Sequence, residues 1–273
     1  MSEFEKLRVV IGYEFLKHIR RKRLYVILGL TLVAELLVLI LLPLLMEGYP
    51  DNVMVMAAML SIGPGLATIG AVFFAGDAIA GEFEGKTGFI LFTNPVKRAT
   101  LVMGKYLAGY AAVALLVVFG YVIVSISLLA IYGNVPIETA KSFGLCLLYA
   151  GSVLSVTFFF SSVSKGSMGA TVMTLLFIMV ISGIIDGVLT MADQPNWFLL
   201  SKASDSISTV YGGYGLLLEG FMPEGSMEGM PHGGRLLSAL KSPDISLCVL
   251  SMVIYLVVGF VLSVWTSRRR QLA

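Results

Sequence analysis

Six long apolar runs alternate with polar connections along this 273-residue chain. A helix rises about 1.5 Å per residue, so about 20 apolar residues cross a hydrocarbon core of about 30 Å. Windows of that kind run over residues 24–46, 53–76, 106–132, 139–162, 168–191 and 245–266. Each predicts a transmembrane helix. In lipid only helices and closed barrels satisfy every backbone group, and these runs are too long and continuous for barrel strands. The fold class is therefore all-α integral membrane. Gly63-Pro64-Gly65 falls inside the second window and predicts a bend, because proline removes a helical hydrogen bond. The third window stops at Gly133-Asn134.

Ahead of the first window, Phe4, Leu7, Ile11, Phe15 and Ile19 recur at spacings of three and four. Lys6, Lys17, Arg20, Arg21 and Lys22 lie mostly off that stripe. Residues 1–23 thus read as a basic amphipathic elbow helix in the inner interface. It turns into the membrane at Arg20, Arg21, Lys22 and Arg23, beside anionic lipid. His18 is expected to face headgroups.

Composition agrees with a lipid solvent. The chain is 57% hydrophobic and 13% charged, where soluble domains carry roughly 25% charged residues. A water-soluble fold could not cover that much apolar surface. The two cysteines, Cys146 and Cys248, sit in apolar runs and form no disulfide framework. No cleavable signal peptide is visible, since the first apolar run is too long for a signal core.

Charge position sets orientation. Of the 19 Lys and Arg, only Lys141, Lys202, Arg235 and Lys241 fall on one side of the six windows; all the others fall on the opposite side. Basic residues mark the cytoplasmic side, so a multi-pass protein of the cell membrane with both termini in the cytoplasm is expected. Residues 24–273 then form a six-span domain, with a long cytoplasmic loop at 77–105 and a long extracellular loop at 192–244. The outer loop contains Trp197, Phe198, Tyr211, Tyr214 and Phe221, and residues 206–218 read as a short helix near or dipping into the membrane. Ser161, Ser162 and Ser164 read as caps between the fourth and fifth spans.

The 77–105 loop holds the most specific pattern. It runs from Asp77 through Glu82-Phe83-Glu84-Gly85-Lys86-Thr87, then the short apolar stretch with Phe89, Leu91 and Phe92, then Asn94-Pro95-Val96-Lys97-Arg98 and Gly104-Lys105. A projecting segment with such aromatics needs a cover, and a groove on a soluble subunit provides one. An alternative lays the aromatics back on the lipid interface. Gly81 to Thr87 superficially suggests a phosphate-binding loop, but three residues separate its glycines where a P-loop needs four. Two carboxylates also stand where phosphate would sit.

The order of elbow helix, two spans, E-x-E-G-x-T, apolar stretch, N-P-V-K-R, G-K and four further spans resembles the ABC-2 type permeases, over essentially the whole chain. The resemblance implies a coupling helix around the Glu and Thr that docks on an ATP-binding subunit. Glu82, Glu84, Gly85, Thr87, Pro95 and Arg98 match that pattern, and Gly88 departs from it. It further implies two permease subunits and two separate nucleotide-binding subunits, which hold the ATP and Mg. This chain would bind no cofactor itself and would not be an enzyme. Nothing in the pattern points to nucleic acid. The rival role is a membrane anchor or regulatory subunit that recruits a cytoplasmic partner.

Charges inside the windows are candidate translocation or interface residues. Glu35 lies about 17 Å into the first span at about 1.5 Å per residue. A carboxylate there costs at least about 2.5 kcal/mol unless it is protonated or faces protein or water. Asp186 lies in the outer half of the fifth span. Met222, Met227, Met230 and His232 supply thioether and imidazole groups suited to Cu(I), though Glu224 and Glu228 interrupt them, and they form only a weak candidate metal site.

Overall fold

The computed structural model describes residues 2–45, 48–85, 97–192, 194–213 and 242–269. Every regular element among them is helical. In chain order they are α1 (Glu3–Arg20), α2 (Lys22–Leu45), α3 (Val53–Met59), α4 (Gly63–Ala75), α5 (Ala80–Glu84), α6 (Arg98–Tyr132), α7 (Ile137–Val163), α8 (Ser167–Met191), α9 (Leu200–Thr209) and α10 (Ile245–Arg269). Among the described residues six helical stretches are long and apolar enough to cross a membrane: α2, the run Val53–Glu84, α6, α7, α8 and α10.

Most boundaries agree with the apolar windows to within three residues; two regions differ. The second span is broken rather than bent. Helix α3 ends at Met59, and α4 restarts with Pro64 in its first turn, where a missing N–H costs nothing. A further turn at 76–79 leads into α5. The third span begins at Arg98, not near Tyr106, so residues 98–105 of the expected loop are helix. A hydropathy window sees apolar content and cannot register a helix continuing through Lys105. Gly133 ends α6 with φ of 68°, the left-handed cap that glycine adopts most readily.

Helix α7 lies at the centre of the bundle. Its apolar window is 61% buried, against 22% for α2, 17% for α8 and 22% for α10. Helices α7 and α10 approach closely through small residues. A Cβ on Gly259 would meet the Ser155 backbone at 3.0 Å, and Ser152 Oγ donates to the Met252 carbonyl at 2.7 Å. Lipid supplies no hydrophobic drive between helices, so such close packing and hydrogen bonds hold them. The outer helices expose large apolar side chains such as Leu30, Leu44, Met179 and Val188, the surface expected to meet lipid.

Helix α1 starts with a reciprocal cap. Ser2 Oγ accepts from Glu5 N–H, and Glu5 accepts from Ser2 N–H. Helix α1 ends at Arg20, with Arg21 extended before α2 begins. The α1 stripe packs largely on protein: Phe15 and Ile19 join the main core, while Phe4 is exposed. His18 does not face headgroups. It is buried, edge-on to Phe74 with ring centroids 5.3 Å apart.

Candidate functional site

At the α1 end of the bundle, α1, α5 and α6 meet around one lysine. Gly104 sets the approach. A Cβ there would meet Val10 Cγ1 at 2.5 Å, so only glycine lets α1 lie this close to α6. The next residue, Lys105, is 3% exposed. Its Nζ donates to Glu14 Oε1 at 2.6 Å and to Glu82 Oε1 at 2.7 Å. Lys17 stands 3.5 Å from Glu14 Oε2 and 3.8 Å from Glu82 Oε1. A lysine this deep is tolerated because it is paired twice; unpaired, its desolvation would be costly.

The stem leading from α4 into α5 is stitched by Ser161 of α7. Its hydroxyl accepts from Ile79 N–H at 3.1 Å and Ala80 N–H at 3.0 Å, and donates to the Gly76 carbonyl at 2.9 Å. Those are backbone groups that the interruption between α4 and α5 leaves without helical partners. Ser161 is fully buried, so it is a cross-brace rather than a cap of its own helix. Asp77 receives Arg21 Nη1 at 2.5 Å and Arg23 Nη1 at 3.3 Å, which ties the same turn to the α1–α2 corner. Arg20 and Lys22 remain exposed.

Glu84 closes the stem onto a fourth element. Its Oε2 accepts from Ser167 N–H at 2.8 Å and Ser167 Oγ–H at 2.6 Å. A carboxylate thus caps the start of α8, where helix N–H groups are otherwise unpaired and the dipole is positive. Phe83 packs against the main core. On the other stem, Arg98 donates to the Arg268 carbonyl at 3.3 Å, near the end of α10. Residues 77–85 and 97–105 are therefore fixed to α1, α7, α8 and α10. Thr87, Phe89, Leu91, Phe92 and Pro95 lie outside the described residues.

His18 borders this network, between Glu14, Lys17, Arg21 and Asp77. Burial is the main cause that pushes its pKa down to about 4, so the ring is neutral near pH 7. Its Nδ1 has no protein partner.

The structure separates the two intramembrane carboxylates. Glu35 is fully buried in α2, and neither of its oxygens has a protein hydrogen-bond partner. Asp186, on α8, accepts from Asn196 Nδ2 at 2.8 Å and lies 3.3 Å from Lys202 Nζ. Lys202 is also 3.3 Å from Asp205, its neighbour on α9. Helix α9 begins at Leu200, earlier than the helix expected at 206–218, and it buries Leu200, Ala203 and Ile207 in the core. Both cysteines are free and buried. Among the described residues no group of three or more His, Cys, Asp or Glu could hold a metal. Met222, Met227, Met230 and His232 lie outside them.

Residues 10–181, well over half of the chain, match the family model described as ABC-2 family transporter protein. This chain belongs to the ABC-2 transporter family. It is thus a multi-pass membrane protein of a permease family without a catalytic ATPase domain. The matched residues take in the whole Lys105 network, from Glu14 to Ser167, and stop at the π-helical turn Leu176–Ile181 inside α8. The chain is also similar to the probable ABC transporter permease protein NosY of Pseudomonas aeruginosa, 32% identical over 107 residues. That similarity covers 39% of this chain and 38% of the relative.

Sequence reasoning singled out Glu82 and Glu84 but missed what they hold. Gly104 and Lys105 stood out only as a dipeptide, and Glu14 not at all. The available signal was a charged Glu14 and His18 one turn apart, facing the same way as Leu7 and Ile11.

Proposed function

We propose that this chain is the translocating subunit of an ATP-driven exporter and that segment 86–96 docks on a separate ATP-hydrolysing subunit. Both termini lie in the cytoplasm, α1 is an elbow helix at the inner interface, and two permease subunits pair to form the path. The observation that carries this reading is the double anchoring of Lys105. One buried ammonium joins the stem before the docking segment, the stem after it and α1. A push on 86–96 is then delivered to α1, α6 and α8 together rather than absorbed in a loose loop. That is the requirement for rigid-body gating driven from outside the membrane.

In this reading Glu82 and Glu84 are positioning residues, because their carboxylates bond to Lys105 and Ser167. Contact with the ATPase falls to Thr87, Phe89, Leu91, Phe92 and Pro95, with Gly85 and Arg98 at the ends. The test is capture of the ATP-binding subunit by full-length chain. Phe89→Ala with Phe92→Ala should abolish co-purification while leaving the permease folded. Undiminished capture would refute the docking assignment.

A further inference from the structure

The carboxyl of Glu35 takes no part in the Lys105 network or in the Asp186–Lys202 pair. It is 0% exposed, and among the described residues neither oxygen finds a hydrogen-bond partner. The α2 face that carries it holds Leu24, Ile27, Thr31 and Leu42 and is buried against protein rather than turned to lipid. Along that face Thr31 lies beside Gly120 of α6, where Leu66 of α4 also packs. Further on, Leu42 packs with Met56 and Leu60. Glu35 therefore stands at the level between Leu60 and Leu66, which is the break in the second span.

The elements packed against this stretch bring no charge to it. Residues 53–75 contain no Asp, Glu, Lys, Arg or His. Helix α6 brings Tyr121, whose hydroxyl is bonded to Ser142 Oγ at 2.7 Å. Tyr211, just after α9, packs with Leu42 in the same cluster. Arg23, the nearest charge on α2 itself, is about 18 Å away at about 1.5 Å per residue. An ionised carboxylate here would have neither a donor nor water, a costly state at membrane depth. The closed oxygens leave no room for a metal ion or a solute. A proton needs none.

The break makes that proton conditional. Ile62 N–H turns back to the Leu60 carbonyl at 2.8 Å, α4 starts without a side-chain cap, and Ser61 Oγ has no partner. The first N–H groups of α4 lack helical acceptors. Non-helical backbone at membrane depth is tolerated where it is buried in protein or lines water, and element ends of this kind absorb hinge motion. Separation of α2 from the break would admit water and bring donors to Glu35. Its ionised form is then stabilised, and the proton passes to the admitted water.

We infer that Glu35 is a proton-binding site that latches α2 to the broken second span, protonated while the seam is closed and ionised when it opens. The site rests on this geometry and not on the exporter reading. The second span runs on through α5 into the Lys105 network, so in an exporter the latch would set how readily that span moves. The test uses this chain alone, so the two readings fail separately.

Full-length chain in uncharged nanodiscs is compared by infrared spectroscopy with and without isotope-labelled glutamate. At pH 7 a carboxylic acid band is expected that shifts with the label and is missing from Glu35→Gln. Raising the pH to 9 should remove the band. It should also lower hydrogen-exchange protection, corrected for intrinsic rates, at least 10-fold over residues 53–66 while α7 is unchanged. Glu35→Gln, a neutral mimic of the acid, should keep its protection at both pH values, and Glu35→Asp should keep the pH dependence. The labelled wild-type spectrum decides the protonation state even where a variant does not fold. Absence of a label-shifted acid band at pH 7, or the same loss of protection in Glu35→Gln, would overturn the inference.

Discussion

Lys105 and Lys202 both lie buried between two carboxylates, at opposite ends of the bundle. Lys105 bonds at 2.6 and 2.7 Å to residues of two other elements, α1 and α5. Lys202 lies at 3.3 Å from both its partners, one of them three residues along its own helix. The first site is closed and joins three pieces of chain; the second is looser and borders a cleft. The same charge pattern thus serves two ends, tying three elements together in one case and two in the other.

Removing each lysine is the most direct way to break that contrast. Lys105→Met leaves Glu14 and Glu82 with the longer Lys17 contacts in place of the two short bonds, and loss of one partner from a buried pair costs about 3–5 kcal/mol. Thermal unfolding in detergent should show it as the largest shift. Lys202→Met should cost less than half as much, because Asp186 keeps Asn196 and Asp205 borders the open cleft. Equal losses would erase the distinction.

Acid should act on the Lys105 end first. Folded His18 has a pKa near 4 because of its burial, below the roughly 6.5 of an unfolded histidine. As pH falls the unfolded chain binds the proton first. The stability from neutral His18 is therefore complete above about 6.5 and declines toward 4, by up to about 3 kcal/mol. His18→Leu should flatten that slope in unfolding measured between pH 7 and 4. An unchanged slope would assign the acid response to other groups.

Ser161→Ala probes the same stem on a smaller scale. It leaves the Ile79 and Ala80 N–H groups and the Gly76 carbonyl without the bridge, a loss of about 1–3 kcal/mol. Hydrogen exchange should rise at 76–84 and not in α9. A rise spread evenly over both ends would show that Ser161 is general packing and not a brace of the stem.

The sequence disclosed the spans because length and apolar content are local properties. It disclosed the α1 helix for the same reason, and marked Gly63-Pro64 as a bend where the structure has a break. The pairings were hidden because they are distant in the chain: Lys105 meets Glu14 across 91 positions, and Ser161 meets Ile79 across 82. Buried His18 was misplaced because a basic neighbourhood says nothing of which face a helix turns inward. The π-helical turn in α8 leaves no trace in hydropathy, since Leu176–Ile181 is apolar in any helix geometry. Glu82 and Glu84 were legible as important, whereas their bonds to Lys105 and Ser167 required the fold.

The central claim is that Lys105 transmits what segment 86–96 receives. The measurement is ATP hydrolysis by the co-purified ATP-binding subunit, with and without transport conditions, for wild type and Lys105→Met at a temperature where both are folded. Lys105→Met should still retain the subunit but lose most of the permease-dependent change in hydrolysis, at least 10-fold. Full retention of that change, with the lysine gone and the subunit bound, would contradict it.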